Sequence, residues 1–390
     1  MPFSFRQLVR QVPSSTLKLF FDSRGTEFGG AVDWSGEQTI VARQINKAMD
    51  GMSAADVAPL ISDFERAHTL SDERGALALI NAAPDAAAML ATFEDTENDQ
   101  ERALLTLVRD PKTFERAEDI RFFDYRIGGN YGRRFRCRSG LAVRRDSGSL
   151  DAFGRAVSGF HRRRDGSGRN HFVEVIDRNA DGGVQVMIYV EGLASNRVEF
   201  GTDGLWRRPS RPAIDAAVVY WPSSGNVETV AKGGKPVHEH LRTEFAKHLL
   251  DAKPSFTMIL PQRYRLAKLA TMPVLPTDPA AGLEAARVRS LKLLPPNNGP
   301  GALVVEAPAD QAVVTAPGLF NAWFAALDPL RRGFFIVEGT ISFHFHPVDG
   351  RKPRTIHLDL GLSGSSNLKD FKQDDRATVE KHLVLWGLVG

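Results

Sequence analysis

The chain has 390 residues, 42% of them hydrophobic and 25% charged, with 50 Lys and Arg against 47 Asp and Glu. This composition belongs to a folded protein long enough for two or three cores, and it excludes a disordered or collagen-like chain. A single cysteine, Cys137, excludes internal disulfides and multi-cysteine metal sites. No apolar run nears the ~20 residues that span a bilayer, and the start lacks the order of a secretory signal, so a cytoplasmic location without a membrane partner is expected.

In chain order, residues 1–36 carry the run STLKLFF followed by glycines, which predicts a strand and turn. Residues 37–125 switch to helical spacing: Ile40, Val41, Ile45 and Met49 recur on one face, Ser53 and Ser71 stand at N-cap positions, and Pro84 and Pro111 punctuate. The pattern predicts an acidic domain of about five short helices. Residues 126–170 form a basic, Arg-rich connecting segment. Over 171–252 the period falls to two, with HFVEVID and VQVMIYVEG flanking RNADGG, AIDAAVVYW and NVETVA flanking PSSG, and a helix at 235–250. Residues 253–318 read as a Pro-rich connector with short strands at ARVRSLKLL and ALVVEA. Residues 319–390 predict a helix over 319–328, a hairpin around VDGRKP and a last helix. The fold class expected is α+β, a helical N-terminal region followed by an antiparallel-sheet-rich body of hairpin-plus-helix units.

Charge is unevenly spread. Residues 37–124 hold 18 acids and 9 Lys or Arg, whereas 126–169 hold 12 Arg and 3 Asp. Guanidinium groups pair bidentately with phosphates, and aromatic rings stack on bases. The stretch RIGGNYGRRFRCRSGLAVRR therefore nominates Arg133, Arg134, Arg136, Arg138, Arg144 and Arg145 for phosphate contact and Tyr131 and Phe135 for stacking, with Phe153, Phe160 and His161 extending the aromatic set. A smaller cluster, Trp206, Arg207, Arg208 and Arg211, enlarges that footprint if the sheet brings it alongside. The function expected is non-catalytic binding of DNA or RNA, as a component of a bacterial multi-protein system. A competing reading is a protein-protein adaptor, in which the arginines neutralise the acidic helices of this chain or bind a protein partner.

The late hairpin suggests different chemistry. Placing His346 opposite Thr355 sets His344 against His357 and Ser342 against Asp359, so three imidazoles and one carboxylate share a face. His344, His346, His357 and Asp359 in that arrangement suit a divalent metal, and a metal-dependent hydrolase or nuclease is the alternative function. Other motifs fall away. DRNADGG begins like a calcium loop but has Ile188 where a bidentate Glu is required. VHEHLRTEF spaces its histidines two apart rather than four. The acids Asp22, Glu27 and Asp33 lack a companion lysine motif. Arginines around Cys137 can lower a thiol pKa, but with no partner group identifiable an ordinary buried or idle cysteine is expected.

Overall fold

The computed structural model describes residues 3–129, 131–201, 204–259, 263–272, 275–296, 300–308, 314–324, 329–347 and 353–389. The chain divides into two units, Met1–Ile259 and Leu260–Gly390. The class is α+β, as the periodicities predict.

The first unit opens with α1 (Phe5–Gln11) and α2 (Ser14–Ser23), where the sequence suggested a strand and turn. The spacing decides: Leu17, Phe20 and Phe21 lie three and four apart, and all three are buried, the two rings meeting Phe64. Then come α3 (Gln38–Asp50), α4 (Ala54–Thr69), α5 (Glu73–Ala82), α6 (Ala86–Glu94), α7 (Asp99–Arg109) and α8 (Pro111–Ile127). Side chains of Ser53, Asp72, Asp85, Asn98 and Asp110 accept backbone N–H groups at the starts of α4 to α8, satisfying donors that a helix leaves open. Asp72, not Ser71, caps α5; the Ser71 hydroxyl donates back to the Ala67 carbonyl at 2.7 Å.

The arginine-rich segment is not a plain connector. It contributes β1 (Gly132–Arg136) and the long helix α9 (Ser147–Asp165), followed by β2 (His171–Arg178), β3 (Gly183–Glu191), β4 (Ser195–Gly201), β5 (Gly204–Ser210), β6 (Ala213–Trp221), β7 (Asn226–Val230), α10 (Lys235–His248) and β8 (Thr257–Met258). Four residues of low helix propensity, Gly148, Gly154, Ser158 and Gly159, mask α9, whereas Leu150, Phe153 and Val157 supply its inward stripe. Gly154 is required there, because a Cβ would collide with the His171 ring.

One antiparallel sheet runs in the order β2-β3-β6-β7-β1-β8. Val186, Ile188, Val218 and Tyr220 pack in one core with Phe153 of α9 and Leu241 of α10. The intervening Met187, Ala217 and Val219 join Val230 in a continuous core with the N-terminal helices. Burial of both faces is why VQVMIYV and AAVVYW read as unbroken apolar runs. Arg178 ties the layers together: 5% exposed, it donates to Asp124 of α8 at 2.9 and 3.1 Å and to Asp181 at 2.8 Å.

A ribbon grows from one end of this sheet. Beyond the pair Glu191↔Ala213, the Gly192 N–H donates to the Pro212 carbonyl at 2.8 Å, and β4 then pairs with β5 from Ser195↔Ser210 to Gly201↔Gly204. Residues 192–194 face only residues 211–212, a bulge that separates the ribbon from the sheet proper.

The second unit contains α11 (Ala267–Thr271), β9 (Leu283–Leu294), β10 (Leu303–Glu306), α12 (Ala316–Phe324), β11 (Phe335–Phe345), β12 (Arg354–Gly361) and α13 (Gln373–Leu385). Its antiparallel sheet is ordered β10-β9-β11-β12, and Val288, Ile341, Phe343 and Leu358 share a core with Val379, Leu383 and Trp386. Residues 325–328 of the expected helix and 348–352 of the expected turn lie outside the described residues. Among the described residues no helix is long and apolar enough to cross a membrane.

Candidate nucleic-acid interface

Strand alternation divides the arginines proposed from sequence. On β1, Arg133 and Phe135 point to one face, Arg134 and Arg136 to the other. Phe135 is 2% exposed, edge-on to Phe256 and covered by the Arg242 guanidinium at 4.4 Å, so it is a core residue and is closed to a base. Phe153 and His161 are buried too, and Phe160 stacks on His240. Tyr131 alone of that aromatic set is exposed.

The two ends of the six-stranded sheet treat their cations differently. At the end where Arg178 meets Gly183 and Trp221 meets Asn226, the loop after β1 is fastened by the Tyr220 hydroxyl, which donates to the Arg138 carbonyl at 2.9 Å. Here Arg144 lies 3.5 Å from Asp251, and Arg145 forks onto both carboxylate oxygens of Asp177. Arg134 of β1 meets Glu228 of β7 at 2.9 Å, and Arg126, in the last turn of α8, meets Asp215 of β6 at 3.1 Å. Burial pushes the Glu228 carboxyl up and Arg134 holds it back. Arg136 reaches only the Asn226 side-chain oxygen, at 3.4 Å. These pairs use acids of the sheet and of the turn after α10, not those of the acidic helices.

At the opposite end, from which the ribbon springs, the last turn of α9 presents Arg162, Arg163 and Arg164, and the next loop carries Arg169. That loop docks on the ribbon base: the Gly168 N–H donates to the Glu191 carbonyl at 2.7 Å. Arg164 lies against Gly233, where any Cβ would collide with its guanidinium, which brings Lys232 and Lys235 to the same end. All six cations are exposed, and among the described residues none forms a salt bridge. Arg162 donates to the Gly168 carbonyl at 2.9 Å, and Asp165, next in the chain, accepts from the Ser167 hydroxyl at 2.5 Å, a bond that with Arg164 nearby holds its carboxyl below the usual range. Cations at a helix C-terminus are also favoured by the helix dipole, so the cluster costs the fold little. The ribbon adds Arg197, Arg207 and Arg208, with Arg208 over the Trp206 ring at 4.6 Å; Arg211 is paired with Glu191 at 3.1 Å. A second basic groove, lined by Arg6, Arg10, Arg43 and Lys47, lies between α1 and α3, with Asp50 on its rim 3.5 Å from Arg6.

The histidine hairpin forms with a register two residues from the expected one: Ser342 pairs with His357, His344 with Thr355 and Thr340 with Asp359. A two-residue slip keeps the shared face but leaves His346 beyond the last pair, exposed. Arg289 donates to His357 Nε2 at 3.2 Å, so the ring is neutral with its proton on Nδ1, donated to the Ser342 hydroxyl at 2.9 Å. The lone pair a metal needs is therefore occupied. His344 Nδ1 contacts the Thr355 hydroxyl at 3.1 Å, and Asp359 accepts from Thr340 at 2.8 Å. Burial first, then neighbouring arginines, depress the pKa of both histidines. Among the described residues no three His, Cys, Asp or Glu side chains come close enough to hold a metal ion.

Burial raises the thiol pKa of Cys137, as in an ordinary, unactivated cysteine. The triplet Arg162–Arg164 was visible as a charge run in the sequence; what hid its importance was the unrecognised helix that ends on it and delivers it to the ribbon. No protein-family model matches this chain, and no curated protein matches its sequence.

Proposed function

We propose that this protein binds nucleic acid without catalysis, through the cationic end of its six-stranded sheet. One observation carries the reading: Arg162, Arg163, Arg164, Arg169, Lys232 and Lys235 converge there from three chain segments, and among the described residues none is salt-bridged to a carboxylate. Six cations gathered around the adjacent carboxylate of Asp165 leave a net positive end, and a polyanion relieves their repulsion while releasing its own counterions. Of the residues nominated by sequence, exposed Tyr131, Arg136 and Arg138 remain available for contact, whereas Arg134, Arg144 and Arg145 are engaged by carboxylates.

The test is binding of nuclease-treated protein to labelled single- and double-stranded DNA and RNA across a salt series, beside a variant carrying Arg162→Ala, Arg163→Ala and Arg164→Ala. Each phosphate contact contributes roughly 0.9 to the slope of log K against log salt on a duplex, so the variant should flatten it by about two to three. An unchanged slope and affinity would remove this surface from the reading.

A further inference from the structure

The two faces of the ribbon differ chemically. Directly paired residues share a face, so Arg197, Arg208, Trp206 and Glu199 lie on one side, and Val198, Phe200, Leu205 and Arg207 on the other. Near the tip, Phe200 and Leu205 form a cross-strand pair that is 88% and 57% exposed, and Val198 beside them is 51% exposed. Water-facing apolar side chains at the end of a projecting arm mark an interaction surface. Its cations narrow the occupant: among the described residues Arg197 and Arg207 form no salt bridge, and Arg208 lies over the Trp206 ring, with Glu199 the one acid of the described strands on that face.

We propose that β4 and β5 form an arm that enters a groove of double-stranded DNA, with Phe200 and Leu205 wedged against the base stack and Arg197, Arg207 and Arg208 on the flanking phosphates. The inference rests on the nucleic-acid reading above and adds the duplex and its distortion. Strand-based DNA binders use either groove, and apolar side chains inserted from the minor groove partly unstack base steps and bend the duplex. Charge argues against a second copy as the occupant. Face-to-face pairing of two ribbons about a two-fold axis would bury Arg207 of one against the same apolar surface that carries Arg207 of the other. Continuity argues for DNA, because the arm leaves the sheet at the end where Arg162–Arg164 supply a phosphate track.

The full-length protein is titrated into a 30-base-pair duplex that carries 2-aminopurine at internal steps and a fluorophore pair at its ends. The wild type should brighten 2-aminopurine and bring the duplex ends closer. Phe200→Ser with Leu205→Ser should abolish both signals and weaken binding about tenfold, the scale of losing one base-aromatic contact, while the salt slope stays within one unit. Binding that keeps its salt slope but shows no unstacking or bending in the wild type would overturn the wedge and leave the nucleic-acid reading intact. Absence of duplex binding in a wild type that still binds single-stranded DNA or RNA would overturn the arm's duplex assignment alone, and absence of binding to any nucleic acid would end both. Co-sedimentation of the wild type, but not the double variant, with phosphatidylserine vesicles, or a dimer that the double variant dissolves, would reassign the arm to a bilayer or to a second copy if the duplex signals are absent.

Discussion

At one end of the six-stranded sheet, Arg144 and Arg145 face Asp251 and Asp177; at the other, among the described residues, Arg162, Arg163 and Arg164 form no salt bridge. Both groups come from the same basic stretch of sequence, so composition does not separate them. Folding does, by turning β1 and α9 against a sheet whose acids are distributed unevenly. An arginine-rich segment is thus two surfaces, one spent on internal neutrality and one held open.

The largest effect expected belongs to the compensated end. Arg178→Ala leaves Asp124 and Asp181 without their buried cation and should cost about 3–5 kcal/mol, read as a lowered denaturant midpoint. Nucleic-acid affinity of the folded fraction should not change.

His238 tests how tightly β7 and α10 are sealed. It is buried, its Nδ1 lies 2.7 Å from the Thr229 hydroxyl, and burial, reinforced by Arg133, pushes its pKa down to about 4. The unfolded chain takes up the proton near pH 6.5, so stability is full above that pH and falls as pH drops towards 4, by on the order of 3 kcal/mol. His238→Gln should flatten that part of the stability profile.

Asp119 acts in the opposite sense over an overlapping range. Burial, with Glu174, Glu118 and Asp215 nearby, raises its pKa to about 6, against a hydrogen bond from Tyr189 that favours the charge. The folded state holds that proton more tightly, so stability from this group is lost as pH rises from ~4 to 6. Asp119→Asn, which keeps an acceptor for Tyr189, should raise stability at pH 7 by roughly 1–2 kcal/mol and leave it unchanged near pH 4. Chemical denaturation at several pH values reads both variants.

The smallest effect sharpens the contrast between the two ends. Replacing Arg144 and Arg145 by Ala should change nucleic-acid affinity by less than about threefold and stability by no more than ~1 kcal/mol, as exposed pairs do. A loss equal to that of the Arg162–Arg164 variant would erase the distinction between compensated and open ends.

Legibility in the sequence followed burial geometry. β2, β3, β6 and β7 were readable because polar turn residues separate apolar strands, and α10 and α13 because their inward residues recur at helical spacing. The N-terminal run STLKLFF was ambiguous, since a short apolar run satisfies both periods until its partners are known. For the candidate site, sequence located the charge but not its compensation: Asp177, Glu228 and Asp251 lie 32, 94 and 107 residues from Arg145, Arg134 and Arg144. The same distance effect hid Phe135, whose burial depends on Arg242 and Phe256 rather than on its arginine neighbours.

The apolar core that runs from Leu8 of α1 to Val230 of β7 has a consequence for how the chain comes apart. Because Ile176, Met187, Ala217 and Val219 complete the packing of the N-terminal helices, those helices have no separable melting transition of their own. Amide protons in α5, α8 and β3 should exchange through one shared opening, and splitting the first unit after residue 125 should give two pieces, 1–125 and 126–259, that recover native structure only when mixed.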